Sequence, residues 1–214
     1  MTSLAFISII TTSTAQDFNR WSLDIGAGVH QVATPLSPGF RTENPGLWQA
    51  NIGIRRMFNE KFGLRADFGI NKIEGDMTNP FESTLFRGTL EGVVNAGNLL
   101  NFDTWTSKVN LLVHAGMGVA SISNDLPFNA NNQSIAQVVY GFTPQYKISD
   151  RISLFVDFST FHNFYQERTF DGATNLSSKE NNASIYNFSM GVNFALVTLK
   201  NMQIFIEKKM MIKK

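Results

Sequence analysis

The feature that most constrains this chain is an alternation of apolar and polar residues, which is clearest between Ser184 and Phe194. Apolar residues hold every second position there, and small or amide residues hold the others: Tyr186, Phe188, Met190, Val192 and Phe194 against Asn187, Ser189, Gly191 and Asn193. Because successive side chains of a β-strand point to opposite faces, this pattern predicts a strand with one apolar face. That face meets either a protein core or, in a closed barrel with a polar interior, lipid.

The same alternation recurs seven times earlier in the chain. Together with the last strand, it predicts eight strands, at about residues 21–31, 47–58, 62–71, 86–95, 108–119, 137–146, 152–159 and 184–194. Long connections after the first, third, fifth and seventh strands alternate with short ones, as in an antiparallel up-and-down barrel. Pro144, inside the sixth strand, predicts a bulge or a strand end. The sequence therefore predicts an all-β fold, an eight-stranded antiparallel up-and-down transmembrane β-barrel.

Composition excludes several other classes of protein. With 43% hydrophobic and 16% charged residues, the 214-residue chain is not wholly disordered, and the absence of cysteine excludes a disulfide framework or a thiolate metal site. No window reaches the roughly 18 apolar residues that a spanning helix needs, so strands must cross any membrane. The residues before the basic C-terminal tail carry slightly more acidic than basic side chains, which argues against a nucleic-acid partner.

Charged residues occur at mid-strand positions on the face opposite the apolar one. Four are basic and four acidic: Asp24, Arg55, Arg65, Asp67, Arg87, Glu91, Lys108 and Asp157. They form either a solvated exterior or a lumen closed by ion pairs, because an eight-stranded barrel has interior space only for side chains. Buried charges on such a scale require partners, so we predict a lumen charge network.

Aromatic residues cluster near both ends of the predicted strands. One group lies near the short turns and the other near the long loops: Trp21, Phe58, Phe62, Trp105, Tyr146 and Phe194, and then Trp48, Phe86, Phe161, Phe164 and Tyr186. Two such belts are typical of strands that cross both interfaces of a bilayer.

Two other functions are compatible with the pattern. A soluble lipocalin-like carrier of a small apolar ligand would turn the apolar row inward. A surface adhesin or receptor would act through the loops Val32–Gly46 and Gln166–Asn182.

Four stretches resemble the barrel domain of OmpA-family outer-membrane proteins: Leu90–Trp105, Gly141–Ser159, Tyr165–Gly172 and the final NFSMGVNF. The resemblance covers about Asp17 to Phe194 and implies a structural role in the envelope of a Gram-negative cell, with outer-membrane lipid as the surroundings. It also implies that the terminal strand, with Tyr186, Phe188 and Phe194, is the signal read by the barrel-assembly machinery. Many members continue into a domain that binds peptidoglycan, so peptidoglycan is expected as a partner only if such a domain exists.

Both ends of the chain differ from the barrel. Residues 1–15 contain the apolar run Leu4–Ile10 followed by small residues, which predicts a signal peptide, with a start that lies inside a longer leader. The barrel is expected over residues 16–194. Residues 195–214 change abruptly in composition, which predicts a frameshifted or truncated gene end, with an amphipathic membrane-surface helix as the alternative.

Motifs for catalysis are absent, since the chain has no phosphate-binding loop, no HExxH pair and no CxxC pair. His30 and His162 lie near the long-loop end, where a lipid-modifying barrel enzyme would place a general base beside Ser159 or Ser37. Such pairs also arise by chance in a serine-rich chain, and His114 fits the polar lumen face. We therefore expect no catalytic residue, no cofactor and no metal site.

Overall fold

A computed structural model describes residues 20–33, 35–42, 45–126, 130–175 and 182–196. These residues form a closed barrel of eight antiparallel strands, in which each strand pairs with its neighbours in sequence and β1 also pairs with β8. The strands are β1 (Trp21–Val32), β2 (Gly46–Met57), β3 (Phe62–Glu74), β4 (Glu82–Asn95), β5 (Val109–Leu126), β6 (Ala130–Lys147), β7 (Ile152–Phe164) and β8 (Ala183–Leu196). The predicted fold class is confirmed.

The alternation in sequence sets which face of each strand is buried. Side chains on the polar rows, such as Asp24, Arg65 and Asp157, are buried inside the barrel. Side chains on the apolar rows remain exposed on the outside, as for Phe68 at 63% and Met117 at 71%. A slip of one residue between two strands would exchange these faces, so the two-sided pattern fixes the register.

The connections differ from the predicted alternation at two places. The connection after the fourth strand, expected to be short, spans residues 96–108 and contains a short helix α1 (Ala96–Leu99) and a 3-10 turn (Phe102–Thr104). Residues 123–134, expected as an Asn-rich loop, belong largely to β5 and β6, which have 18 residues each instead of about ten. Their pairing continues because Ser121 and Ile122 remain in register with Ser134 and Gln133.

Pro144 causes neither a bulge nor a strand end. The register between β6 and β7 is the same on both sides of it, since Phe142 pairs with Phe158 and Gln145 with Phe155. The ladder lacks pairs only at Thr143 and Pro144, as expected where a residue has no backbone N–H to donate. The strand therefore runs through the proline with a local gap in its bonding to β7.

The ends of the chain lie mainly outside the described residues. These include the predicted signal peptide over residues 1–15 and residues 197–214 of the predicted tail. Strand β8 continues two residues past Phe194, and Leu196 pairs with Trp21 at the seam that closes the barrel.

Candidate functional site

The centre of the barrel interior holds a cluster of four ionisable side chains from four strands. The Nη2 atom of Arg65 lies 2.7 Å from Oε2 of Glu91, and its Nη1 lies 3.6 Å from Oδ2 of Asp157. Both nitrogens of His114 lie beside carboxylates, Nδ1 at 2.7 Å from Glu91 Oε2 and Nε2 at 3.2 Å from Asp157 Oδ2. His114 therefore lies between the two carboxylates.

This central cluster crosses the bore from one wall to the other. Arg65 is on β3 and Asp157 is on β7, four strands apart in an eight-stranded barrel, and hence on opposite sides. Each carboxylate also accepts a hydrogen bond from a hydroxyl group. Thr89 donates to Glu91 at 2.6 Å, and Thr143 donates to Asp157 at 2.7 Å. The side chains thus occupy the middle of the lumen.

The other interior charges are held mainly by amides. Asp24 accepts a hydrogen bond from Asn193 at 2.5 Å and lies 3.6 Å from Arg55 Nη2, whereas Asp67 accepts from Asn51 at 2.9 Å. A chain of side-chain amides next to Arg87 crosses the barrel at a second level, and its members are Gln49, Asn71 and Asn187. All these charges are buried. Each has at least one polar partner, which offsets part of its desolvation cost.

The prediction that Lys108 belongs to the lumen charge network is wrong. Strand β5 begins at Val109, so Lys108 lies at the rim before the strand and its side chain is exposed. The other seven predicted residues are buried inside the barrel, together with His114.

An apolar layer closes the interior at the long-loop end. Its buried side chains come from strands and from two loops: Val32, Ile73, Phe81, Leu85, Ala120, Ile122, Ile135, Val139, Phe161, Phe170, Ala183 and Ile185. Leu36 and Phe40 pack against this layer from the first long loop. Arg87 joins it to the polar level below, because its guanidinium lies 4.5 Å from the Phe161 ring centre.

The layer, which we call the apolar cap, includes a loop that folds back into the barrel mouth. Phe170 is fully buried, and its carbonyl accepts hydrogen bonds from Ser83 Oγ at 2.6 Å and Asn124 Nδ2 at 2.9 Å. The first long loop joins it, since the Ser37 amide donates to Asp171 Oδ1 at 2.8 Å. Parts of both loops considered for adhesion are thus used to close the mouth.

The serine and histidine pairs considered for catalysis have other partners. Ser159 bonds Asp157, and Ser37 bonds Thr169 and Thr174 within the closed mouth. His162, on the outer face, bonds Ser184 at 2.8 Å and Tyr140 at 3.1 Å. Within the described residues, neither of the expected serines forms a hydrogen bond with a histidine.

The outer surface carries the residues predicted for the aromatic belts and for assembly. Tyr186, Phe188 and Phe194 share the outward face of β8, and Phe188 packs edge-on against Phe158 with ring centres 4.9 Å apart. Phe161 is the exception among the belt residues, because it is buried in the apolar cap. None of the helices in the described part of the chain is long and apolar enough to span a bilayer.

Comparison with solved structures identifies the same architecture in membrane proteins. Neisserial surface protein A aligns over 82% of this chain and 97% of its own, with a TM-score of 0.56 and 13% identity. The fold is that of eight-stranded outer-membrane barrels. A major outer membrane protein from Thermus thermophilus gives a TM-score of 0.52 with 11% identity, covering 82% of this chain and 98% of its own. For OprG from Pseudomonas aeruginosa these values are 0.50 and 9%, with 84% and 97% covered.

The predicted resemblance to OmpA-type barrels is confirmed at the level of the fold. No protein-family model matches the sequence, and no curated protein matches it. The carrier alternative is wrong in its orientation, because it required the apolar rows to face inward, and they face outward along the strands.

Proposed function

We propose that this protein is a structural barrel of the outer membrane of a Gram-negative cell, with little or no channel activity and no enzymatic activity. The observation that carries the proposal is the inverted distribution of side chains. Large apolar residues are exposed around the outside, and ionisable residues are buried inside. A soluble protein rarely exposes so continuous an apolar surface, whereas lipid covers it at no cost.

The mechanism is physical. Circular closure pairs the strand edges with one another, which a chain in hydrocarbon requires because no water is present to bond free backbone groups. The Arg65–Asp157 contact and the amide chain cross the bore, and the apolar cap covers one end. These layers support a sealed barrel that contributes to envelope integrity.

Outer-membrane lipid and the barrel-assembly machinery are the partners that this function requires. Tyr186, Phe188 and Phe194 lie on the outward face of the closing strand, where the assembly machinery would read them. Binding to peptidoglycan belongs to the proposal only if a further domain is present in the native protein.

Cell fractionation tests the proposal directly. The protein should remain in the outer-membrane pellet after carbonate washing and dissolve only in detergent. Unheated samples should migrate differently from boiled ones in SDS gels, since a closed barrel resists unfolding by the detergent. Recovery in the aqueous fraction without detergent would contradict the proposal.

The proposed orientation places the long loops outside the cell and the termini in the periplasm. Because the chain has no cysteine, single-cysteine labelling gives a clean test. Met77, which is 98% exposed in a long-end loop, and Ser107, which is exposed at the short-turn end, are suitable positions. In intact cells an impermeant maleimide should label Met77→Cys and spare Ser107→Cys; the reverse pattern would invert the orientation.

A further inference from the structure

A basic residue stands immediately before each strand that rises from the short-turn end. The four residues precede β1, β3, β5 and β7 respectively: Arg20, Lys61, Lys108 and Arg151. All four are exposed. Lysine and arginine make up only 18 of the 214 residues, so composition alone does not account for four basic residues at equivalent positions.

The backbone places these residues at the same level of the barrel. Each carbonyl accepts a hydrogen bond from the partner strand: Met57 N to Arg20 O at 2.7 Å, Asn95 N to Lys61 O at 2.7 Å, Lys147 N to Lys108 O at 2.7 Å, and Ala195 N to Arg151 O at 2.8 Å. These bonds continue four alternate strand pairs at the short-turn end, β1 with β2, β3 with β4, β5 with β6 and β7 with β8. We call the four residues the basic ring.

The turns before three of the ring residues have the same construction. Asn59, Thr106 and Ser149 each lie two positions before the basic residue, and each side-chain oxygen accepts the amide N–H of that residue at 2.9, 3.2 and 3.3 Å respectively. The same oxygens also accept the next amide. These Asx and Ser/Thr turns fix the backbone, so only side-chain freedom is lost when the ring binds a ligand.

The charges around the ring leave this end of the barrel positive. Lys147 is compensated by Asp150 at 2.8 Å, and this hydrogen bond lowers the pKa of the Asp150 carboxyl below its ordinary value. Glu60 and Asp103 are the other acidic residues of this end within the described chain, against the four ring residues and Arg56.

The opposite end has the opposite balance. Among the described residues it carries twice as many acidic as basic side chains: Glu74, Asp76, Glu82, Asp125, Glu167 and Asp171 against Arg41, Lys72 and Arg168. A ligand that recognises only positive charge would therefore select the short-turn end.

We propose that the basic ring binds the headgroups of anionic phospholipids in the leaflet at the short-turn end. The ring adjoins the aromatic belt there, and Arg56 lies 5.2 Å from the Trp21 ring and 5.9 Å from the Phe58 ring. Such belts lie at headgroup depth, which brings lipid phosphates within reach of neighbouring lysines and arginines. The inference rests on the proposed insertion in a membrane.

Quenching of intrinsic tryptophan fluorescence by brominated lipids tests the inference. Trp21 and Trp105 lie at the short-turn end, so a Trp48→Phe background reports on that end alone. The full chain is inserted in vesicles that contain equal fractions of brominated phosphatidylglycerol or brominated phosphatidylcholine. Each basic residue near an anionic surface contributes about a fivefold gain in affinity, so we expect at least a roughly fivefold preference for the anionic lipid.

Two triple variants, each of which removes three positive charges, separate the ring from net charge. Lys61→Gln, Lys108→Gln and Arg151→Gln together should reduce the preference severalfold, with Arg20 as the ring residue that remains. Arg41→Gln, Lys72→Gln and Arg168→Gln at the other end should leave it unchanged. Equal quenching by both lipids in the parent, or an unchanged preference in the ring variant, would overturn the inference.

Heat-modifiable gel mobility of the same vesicle samples keeps the two proposals apart. A protein that never inserts contradicts the membrane barrel itself, whereas an inserted barrel without lipid preference contradicts only the ring. A soluble acidic peptide, added at constant ionic strength, provides a further test. Binding of this peptide by a parent protein that shows no lipid preference would assign the ring to a soluble acidic partner and would overturn the lipid proposal.

Discussion

Removal of the Arg65 side chain should destabilise the barrel more than any loss of an exposed charge. Arg65→Ala leaves Glu91 and Asp157 buried, with the His114 imidazole as the remaining ionisable group near both. Deleting one partner of a buried ion pair typically costs about 3–5 kcal/mol. We expect a loss of this size in the free energy of unfolding, measured by urea titration of the folded barrel in lipid vesicles through tryptophan fluorescence.

A control and a double variant make the test specific. Arg41→Ala removes an exposed charge at the long-loop end, outside the basic ring, and should leave the unfolding midpoint almost unchanged. Arg65→Ala combined with Glu91→Ala should lose less stability than the two single variants together, because the double variant no longer buries an unpaired Glu91. A loss below about 1 kcal/mol for Arg65→Ala would refute the account of the central cluster.

Three other predictions concern the outside, the cap and the closing seam. Met117→Arg places a charge on the exposed outer face of β5 and should lower the free energy of unfolding in vesicles by about 2–4 kcal/mol; an unchanged free energy would contradict contact with lipid. Phe170→Ala should cost about 3–5 kcal/mol and speed proteolysis of residues 165–175, whereas unchanged cleavage would mean that the cap does not hold that loop. A Cβ at Gly28 would lie 2.0 Å from the Phe188 carbonyl oxygen, so Gly28→Ala should reduce the heat-modifiable fraction. Gly92→Ala, with its nearest atom at 3.8 Å, should fold normally, and equal folding of both variants would remove the steric argument.

Periodicity was sufficient to predict the strands and their faces. Along β3, Arg65, Asp67 and Asn71 fall at intervals of two or four residues, which is the spacing of one strand face, and a period of two fits no other regular structure. Periodicity could not predict which charged side chains meet inside the barrel. That Arg65 meets Asp157 across the bore depends on closure of β1 against β8, a relation between strands that no local pattern contains.

The apolar cap was missed because the alternation ends near the barrel mouth. Leu85 and Phe86 are adjacent and both apolar, so the strand has apolar residues on both faces at that level. Leu85 is buried inside and Phe86 is exposed outside. Apolar residues at inward positions near strand ends, such as Ile73 and Ile185, were the available signal of an interior that changes from polar to apolar.

The wrong placement of Lys108 arose from the predicted start of the fifth strand. Lys108 has the parity of the lumen row but precedes the first residue of β5, so a shift of one position moves it from the interior to the surface. The same boundary places Lys108 in the basic ring with Lys61 and Arg151. The structure shows this ring because the carbonyls of the ring residues accept hydrogen bonds at one level of the barrel, and the turns before Lys61 and Arg151 have the same hydrogen bonds.

Conductance of the purified full chain in planar lipid bilayers is the most direct test of a sealed structural barrel. The sample should first show heat-modifiable mobility, so that insertion of folded protein is established. The crossing contact between Arg65 and Asp157 and the apolar cap predict no steady open-channel current. A large and persistent conductance from the unmodified protein would contradict the central claim.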